Sequence, residues 1–330
     1  MNILFLGFSV TAEDNGYFKY IDIPNAKIEK VALGGVQPHH LAYLVGSILE
    51  KNNYDIVIFE IATAGFRSFL SEQMYLFSLV YVLRVALSKG ITPILLDIPR
   101  ADLDIKNDWV FAINSKVSRL FDILRFNISD VVDDISPYLR DGIHTNESGA
   151  RFVGKYFSDA FNRLDYRVNP GFLNPIFNVI DNVSLDLIIP LESGLDVIEF
   201  SRSGYSAVYS KLEGNTRKIK IQLSGLFGHG VSYLLGPDTG VLKINDASKS
   251  INVTCRDEFS YYTRAGYNYF KDRELQGDVF IETLDIVPNV TLKKGFGSNE
   301  RPVNYVGGLL VSSVSYNEIV RISKELIGLL

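Results

Sequence analysis

The sequence has little of what several chemistries require. Its 330 residues include one cysteine, Cys255, so an internal disulfide framework and a Cys-rich zinc site are both excluded. Four histidines, His39, His40, His144 and His229, leave few side chains able to shuttle a proton near neutral pH. The net charge is −5, far from the basic field that gripping nucleic acid demands. Long apolar runs are missing too: the longest, Tyr75 to Leu87, contains Arg84 and is too short to span a bilayer. The apolar start, Met1 to Gly7, has no basic n-region and no following small-residue cleavage site. It reads as a buried strand, and a cytosolic location is the expectation. No nucleotide fingerprint occurs, since Gly225-Leu226-Phe227-Gly228-His229-Gly230 has the wrong spacing. The G-x-S-x-G elbow is also absent, because Thr11 occupies its last position in the Ser9 segment. No metal site is expected, as the adjacent pair His39-His40 has no carboxylate or thiol at ligand spacing.

What is present falls into two halves, expected as domains 1–167 and 168–330. In the first, Ile3–Leu6, Ile28–Leu33, Ile56–Ile61 and Ile91–Ile98 are continuous, β-branched-rich runs suited to strands buried on both faces of a parallel sheet. Ile128–Val132 is expected as a fifth. Helical stripes alternate with them. One covers Leu41 to Leu49 behind Pro38, one Gln73 to Ser88, one Trp109 to Leu124 and one Phe152 to Leu164. Strands alternating with helices imply a three-layer α/β/α sandwich with right-handed crossovers. The second half holds 16 of the 26 glycines and many short β-branched runs, among them Lys218–Leu223, Val231–Leu235, Ser250–Cys255 and Asp278–Ile286. That pattern predicts a β-rich domain of the β-sandwich, jelly-roll-like kind, closed by a helix over Tyr316–Leu330.

Three loops of the first half carry residues suited to chemistry. Ser9, in Gly7-Phe8-Ser9-Val10-Thr11, follows the first strand, where a doubly wound sheet opens onto its ligand crevice. A serine there suits a nucleophile, although taken alone a serine after a strand is more often a helix N-cap. Gly34 and Gly35 follow the second run, where paired glycines make a tight turn or leave an N–H for an oxyanion. Asp141 stands three residues before His144, just ahead of the last helix. An aspartate so placed can fix the imidazole tautomer and leave Nε2 to accept a proton from serine; the alternative is an exposed turn in which the two never meet. Glu60, ending the third run, either faces the crevice or is a paired acid. His39 and His40 open a helix beside the glycines, either touching substrate or serving as polar residues of a first turn. His229 reads as a loop residue.

Together these blocks resemble the SGNH (GDSL-like) hydrolase superfamily over residues 1 to about 165. Gly7-Phe8-Ser9 stands where that family has Gly-Asp-Ser, Gly34 or Gly35 matches its glycine block, and Asp141-Gly142-Ile143-His144 matches its Asp-x-x-His block, with Asn146 and Gly149 downstream. The resemblance implies a flavodoxin-like three-layer domain and a Ser9–His144–Asp141 triad. Two positions depart from the family. Phe8 replaces the usual acid, and Ala62-Thr63-Ala64-Gly65 stands where Gly-x-Asn-Asp is expected, so Ala64 occupies the place of the oxyanion-hole asparagine. Losing such a donor typically costs about 3 kcal/mol of transition-state stabilisation. Thr63, Gln37 and Arg67 are the nearby candidates for substrate or oxyanion support.

The resulting expectation is a serine-dependent acyl-ester enzyme, an O-acetylesterase on a carbohydrate or another small ester. The N–H groups of Ser9 and of Gly34 or Gly35 would serve as its oxyanion hole. Resolution by a sugar hydroxyl would instead make it an O-acetyltransferase with acetyl-CoA as donor; otherwise no cofactor is expected. A third reading, resting on Ala64, is a non-catalytic glycan-binding protein on a degenerate hydrolase fold. The aromatic residues between Phe259 and Phe270 are either stacking surface for sugar or core. The oligomeric state is not encoded in any pattern found.

Overall fold

Alternation of buried strands with amphipathic helices, followed by strands alone, gives two units of different class in a computed structural model. It describes residues 1–64, 70–164, 175–190, 195–213, 218–271, 273–295, 297 and 301–330. One unit comprises Met1–Asp181, Ser203–Tyr205 and Val320–Leu330, the other Asn182–Arg202 and Ser206–Ile319. The boundary expected at residues 167–168 lies outside the described residues.

In the first unit, strands β1 (Asn2–Gly7), β2 (Lys27–Ala32), β3 (Ile56–Glu60), β4 (Thr92–Asp97) and β5 (Arg125–Asn127) form a parallel sheet in the order β2-β1-β3-β4-β5. The helices are α1 (Ser9–Ala12), α2 (Pro38–Leu41), α3 (Val45–Leu49), α4 (Glu72–Ser88), α5 (Trp109–Leu120) and α6 (Glu147–Asn162). Alternation along the strands decides which side chain meets which layer. Ile3, Phe5, Ile56, Ile58, Ile94, Leu96 and Phe126 share one core with Val153, Phe157 and Phe161 of α6. Leu4, Leu6, Val57, Phe59 and Leu95, of opposite parity, are equally buried, and α4 and α5 pack against β4. Both faces of the central strands are covered, which is why β1 and β3 read as near-continuous apolar runs. Helix starts are set by side-chain caps: Ser71 accepts from Met74 N–H, Asp108 from Val110 and Phe111 N–H, and Asn146 from Gly149 N–H.

Two elements differ from expectation. The fifth strand is Arg125–Asn127, while Ile128–Asp130 forms a 3-10 turn. Asn127 causes the change, its side-chain oxygen accepting from Ser129 N–H and turning the chain away from the sheet. The stripe behind Pro38 makes two short helices, because Tyr43 and Leu44 N–H bond three residues back, to His40 and Leu41, and tighten the chain between them.

In the second unit, strands β6 (Leu185–Ile188), β7 (Val197–Arg202), β8 (Tyr205–Glu213), β9 (Lys218–Leu235), β10 (Val241–Asn245), β11 (Ser250–Thr254), β12 (Arg264–Tyr269), β13 (Leu275–Leu284) and β14 (Val303–Ser312) join in one branched antiparallel sheet. Its path runs β11-β10-β13-β9-β14-β8-β7, with β12 paired to β9 and β6 to β14. Ile219, Ile221, Leu242, Ile244, Val279, Ile281, Val306 and Leu309 belong to its common core. The runs Lys218–Leu223 and Val231–Leu235 are one long strand, β9. Gly230 sits inside it because the backbone of β12 passes so close that an added Cβ would lie 2.4 Å from the Asn268 carbonyl oxygen. His229 therefore lies on a strand rather than a loop; it is buried, with Nε2 3.1 Å from the Val314 carbonyl oxygen. Phe270 is core, while exposed Phe259 has the Lys293 ammonium 3.9 Å from its ring centre and Tyr262 the Arg202 guanidinium at 4.5 Å. The helix expected to close this half is α7 (Tyr316–Leu329), and from Val320 onward it belongs to the first unit instead. Among the described residues, no helix is long and apolar enough to cross a membrane.

Candidate active site

All five strands of the first unit run the same way, so the segments leaving their carboxyl ends emerge on one edge. Gly7, the last residue of β1, lies between Ala32 of β2 and Glu60 of β3 in register. The continuations of these three strands carry Ser9, the Gly34-Gly35 turn and Ala62-Thr63-Ala64.

Ser9 is half-buried at the first position of α1, whose first helical bond runs from Ala12 N–H to the Phe8 carbonyl. Phe8, not Ser9, is thus the capping residue. In the glycine turn, Val36 N–H donates to the Leu33 carbonyl and Gly35 takes φ +79°, a left-handed conformation open to glycine at little cost. Gly34 borders open space, with nothing within 4 Å of an added Cβ.

Asp141 and His144 meet. A bridge between Leu139 and Thr145, with Arg140 N–H donating to the His144 carbonyl, closes the loop. Within it, Asp141 Oδ1 accepts from the N–H groups of Ile143 (2.9 Å) and His144 (2.7 Å). The same carboxylate faces the imidazole, with His144 Nδ1 3.1 Å from Oδ1 and 3.0 Å from Oδ2. Partial burial pushes the Asp141 carboxyl up, but the two N–H donors and the imidazole outweigh it and hold it at about 2. It is an anion across the physiological range, fit to orient Nδ1–H and leave Nε2 as acceptor.

This loop is anchored to its neighbours by residues that no sequence pattern singles out. Arg140 bridges to Glu13, the residue ending α1, and its Nε is 3.7 Å from Asp141 Oδ2. Burial raises Glu13, with Arg140 and His144 opposing that rise, so the segment after Ser9 lies within the field of the imidazole. Ala101 N–H donates to the Gly142 carbonyl at 3.0 Å. Beside it, Arg100 is almost wholly buried, pairs with both oxygens of Asp102 (2.8 and 2.6 Å) and donates to the Thr63 carbonyl at 3.1 Å. The one sequence signal for Arg100 is a charge three residues past the end of the buried strand β4.

The other candidates are placed as follows. Thr63 is buried and its hydroxyl donates to Glu60 rather than facing the crevice. Glu60 is fully buried and also accepts from Thr11 Oγ1 at 2.9 Å, so it is a paired acid. Ala64 is half-buried and its side chain offers no donor. Gln37 N–H donates to His40 Nδ1 at 3.3 Å. His39 and His40 are both buried, with ring centres 4.0 Å apart, and burial followed by the neighbouring imidazole keeps His40 well below its usual range. They belong to the helix start. Arg67 lies outside the described residues. Among the described residues no hydrogen bond joins Ser9 Oγ to His144.

This architecture is a flavodoxin-like 2-1-3-4-5 parallel sheet between helical layers, followed by an antiparallel β unit. The chain is similar in structure to a two-domain esterase (CEX) active on acetylated mannans, co-crystallized with mannopentaose. The TM-score is 0.61 at 13% identity, covering 94% of this chain and 90% of that one. A second structure of an esterase described in the same words, without the sugar, gives 0.59 at 13% identity. A member of the lipolytic protein G-D-S-L family from Veillonella parvula matches over 50% of this chain and 100% of its own, with TM-score 0.42 and 17% identity. No family model and no curated protein matches the sequence.

Proposed function

We propose that the protein is an SGNH-type esterase that removes acetyl groups from an acylated carbohydrate. Ser9 Oγ attacks the ester carbonyl carbon while His144 Nε2 takes the hydroxyl proton, and Asp141 steadies the imidazolium. The tetrahedral oxyanion is received by N–H groups of Ser9 and of Gly34 or Gly35. Collapse expels the sugar alkoxide, which takes the proton back from His144. Water then repeats the sequence on the acyl-enzyme and releases acetate.

The observation that carries this reading is the Asp141–His144 contact on a loop tied through Arg140 to the end of the helix that Ser9 begins. Nucleophile–base contacts are commonly long before substrate arrives. Carbohydrate as substrate is supported by the fold shared with the acetylmannan esterase over both of its domains. Ala64 favours a second reading, a glycan-binding protein without catalysis, because neither its side chain nor the hydroxyl of Thr63 supplies the missing donor.

One experiment separates the two. With p-nitrophenyl acetate, the Ser9→Ala variant should lose about 10³-fold or more in kcat/KM, and a fluorophosphonate should label the native protein but not the variant. Equal rates in both proteins, with no labelling, would sink the esterase reading. With acetyl-CoA and an oligosaccharide acceptor, acetylated sugar detected by mass spectrometry would indicate transfer in place of hydrolysis by the same residues.

A further inference from the structure

Glu60 is a fully buried acid that touches both the turn carrying the proposed nucleophile and the loop after β3. Its carboxylate accepts from Thr11 Oγ1 on α1 at 2.9 Å and from the hydroxyl of Thr63, the residue before Ala64. The backbone N–H groups of Phe8, the residue before Ser9, and of Thr63 add to the favourable field at the carboxylate. Four donor groups therefore face its two oxygens, two from the nucleophile turn and two from the loop after β3. Each carboxylate oxygen holds one hydroxyl, whereas a protonated acid carries a hydrogen on one oxygen and must release or turn the donor there. Around this cluster, Tyr17 OH is 2.9 Å from Thr11 Oγ1, and Arg100 Nη1 is 3.1 Å from the Thr63 carbonyl oxygen. Among the described residues, these are the titratable and charged groups next to the cluster on the neighbouring elements. Burial holds the Tyr17 phenol protonated, well above its usual range.

We propose that Glu60 is a positioning residue: in its ionised form it clamps the Ser9 turn to the Thr63–Ala64 loop, and its protonation loosens that clamp. The inference rests on the esterase reading and deepens it. It gives the loop with the missing asparagine a different task, holding the nucleophile turn in place through Glu60. Burial opposed by these four donors raises Glu60 from 4.5 to about 7, so the clamp changes state within the working range of a histidine base.

The test uses the full chain, p-nitrophenyl acetate, and kcat and KM measured over about pH 5 to 9. In the wild type, kcat should fall on the acid side through two ionisations, that of the general base and that of Glu60. Glu60→Gln should lower kcat about 10- to 100-fold, since a small misplacement of a reacting group has that effect. KM should be little changed and the acid limb reduced to a single ionisation. Thr11→Val, which removes one donor to the carboxylate, should move the second ionisation to higher pH. A folded Glu60→Gln protein with wild-type kcat and an unaltered acid limb would overturn the assignment. If that variant does not fold, an unmoved limb in Thr11→Val overturns it instead. Ser9→Ala separates the two levels: if it stays active, the esterase reading fails and this proposal with it. If it is inactive while both clamp variants behave as wild type, only the role of Glu60 fails.

Discussion

Thr63 and Glu60 stand three residues apart at the end of one strand, and their pairing decides what the loop after β3 can do. The Asp141–His144 contact was legible because a three-residue spacing on a short loop lets an aspartate accept the local N–H groups and reach the ring at once. The surroundings of Glu60 were not legible. An acid at the end of a buried strand reads the same whether it faces a crevice or four donors, and those donors come from positions 8, 11 and 63, which only the β1–β3 register unites. Its stability effect has a defined sign. The folded state holds the Glu60 proton more tightly than the unfolded chain, so its contribution is full below 4.5 and is lost as pH rises through about 7. Glu60→Gln has no such proton to lose. Relative to wild type it should therefore gain up to about 3 kcal/mol between pH 4.5 and pH 8, as the ordinary and raised values for Glu60 imply. Urea unfolding of both proteins at the two pH values checks this, and a relative loss across that interval would refute it.

At the scale of elements, what the sequence made plain was what packing enforces over several turns. The stripe on α6 was readable because Val153, Phe157 and Phe161 all return to the same face. Phe157 is fully buried, with ring centres of Phe5 at 5.3 Å, Phe126 at 4.8 Å and Phe161 at 5.7 Å, so it joins α6 to β1 and β5 at once. Strand β5 was obscure for the opposite reason. It is three residues long, pairs only with β4, and begins with Arg125, whose charge is held by buried Asp97 at 2.6 Å. A short edge strand held by an ion pair carries no hydrophobic pattern to read. Phe157→Ala should cost about 3–5 kcal/mol in denaturant unfolding, the usual range for emptying an aromatic site in a close-packed core. A cost under about 1 kcal/mol, as for an exposed site, would show that α6 is not pinned to the sheet through this ring.

At the scale of the whole chain, the change from alternating strands and helices to strands alone separated the two classes of fold without separating their edges. Glycines blurred the β-rich half. Gly228 and Gly230 flank His229, which reads as a loop residue, yet all three sit within β9, and at Gly230 the backbone of Asn268 leaves no room for a side chain. The lone cysteine offers a probe of that half by itself. Cys255 is fully buried in the core shared by β9, β10, β11 and β13, and its thiol donates weakly to the Val253 carbonyl. Burial pushes the thiol well above its usual range, so the reactive thiolate is almost absent while the core stays closed. Labelling by a thiol-specific disulfide reagent should therefore be slow in buffer and rise steeply with urea, because modification has to wait for the core to open. Fluorophosphonate labelling of Ser9, in the other unit, follows that unit's integrity in the same titration, so each half carries its own reporter. Rapid, complete modification of Cys255 without denaturant would mean that this core opens readily in the native protein, contrary to the packing described above.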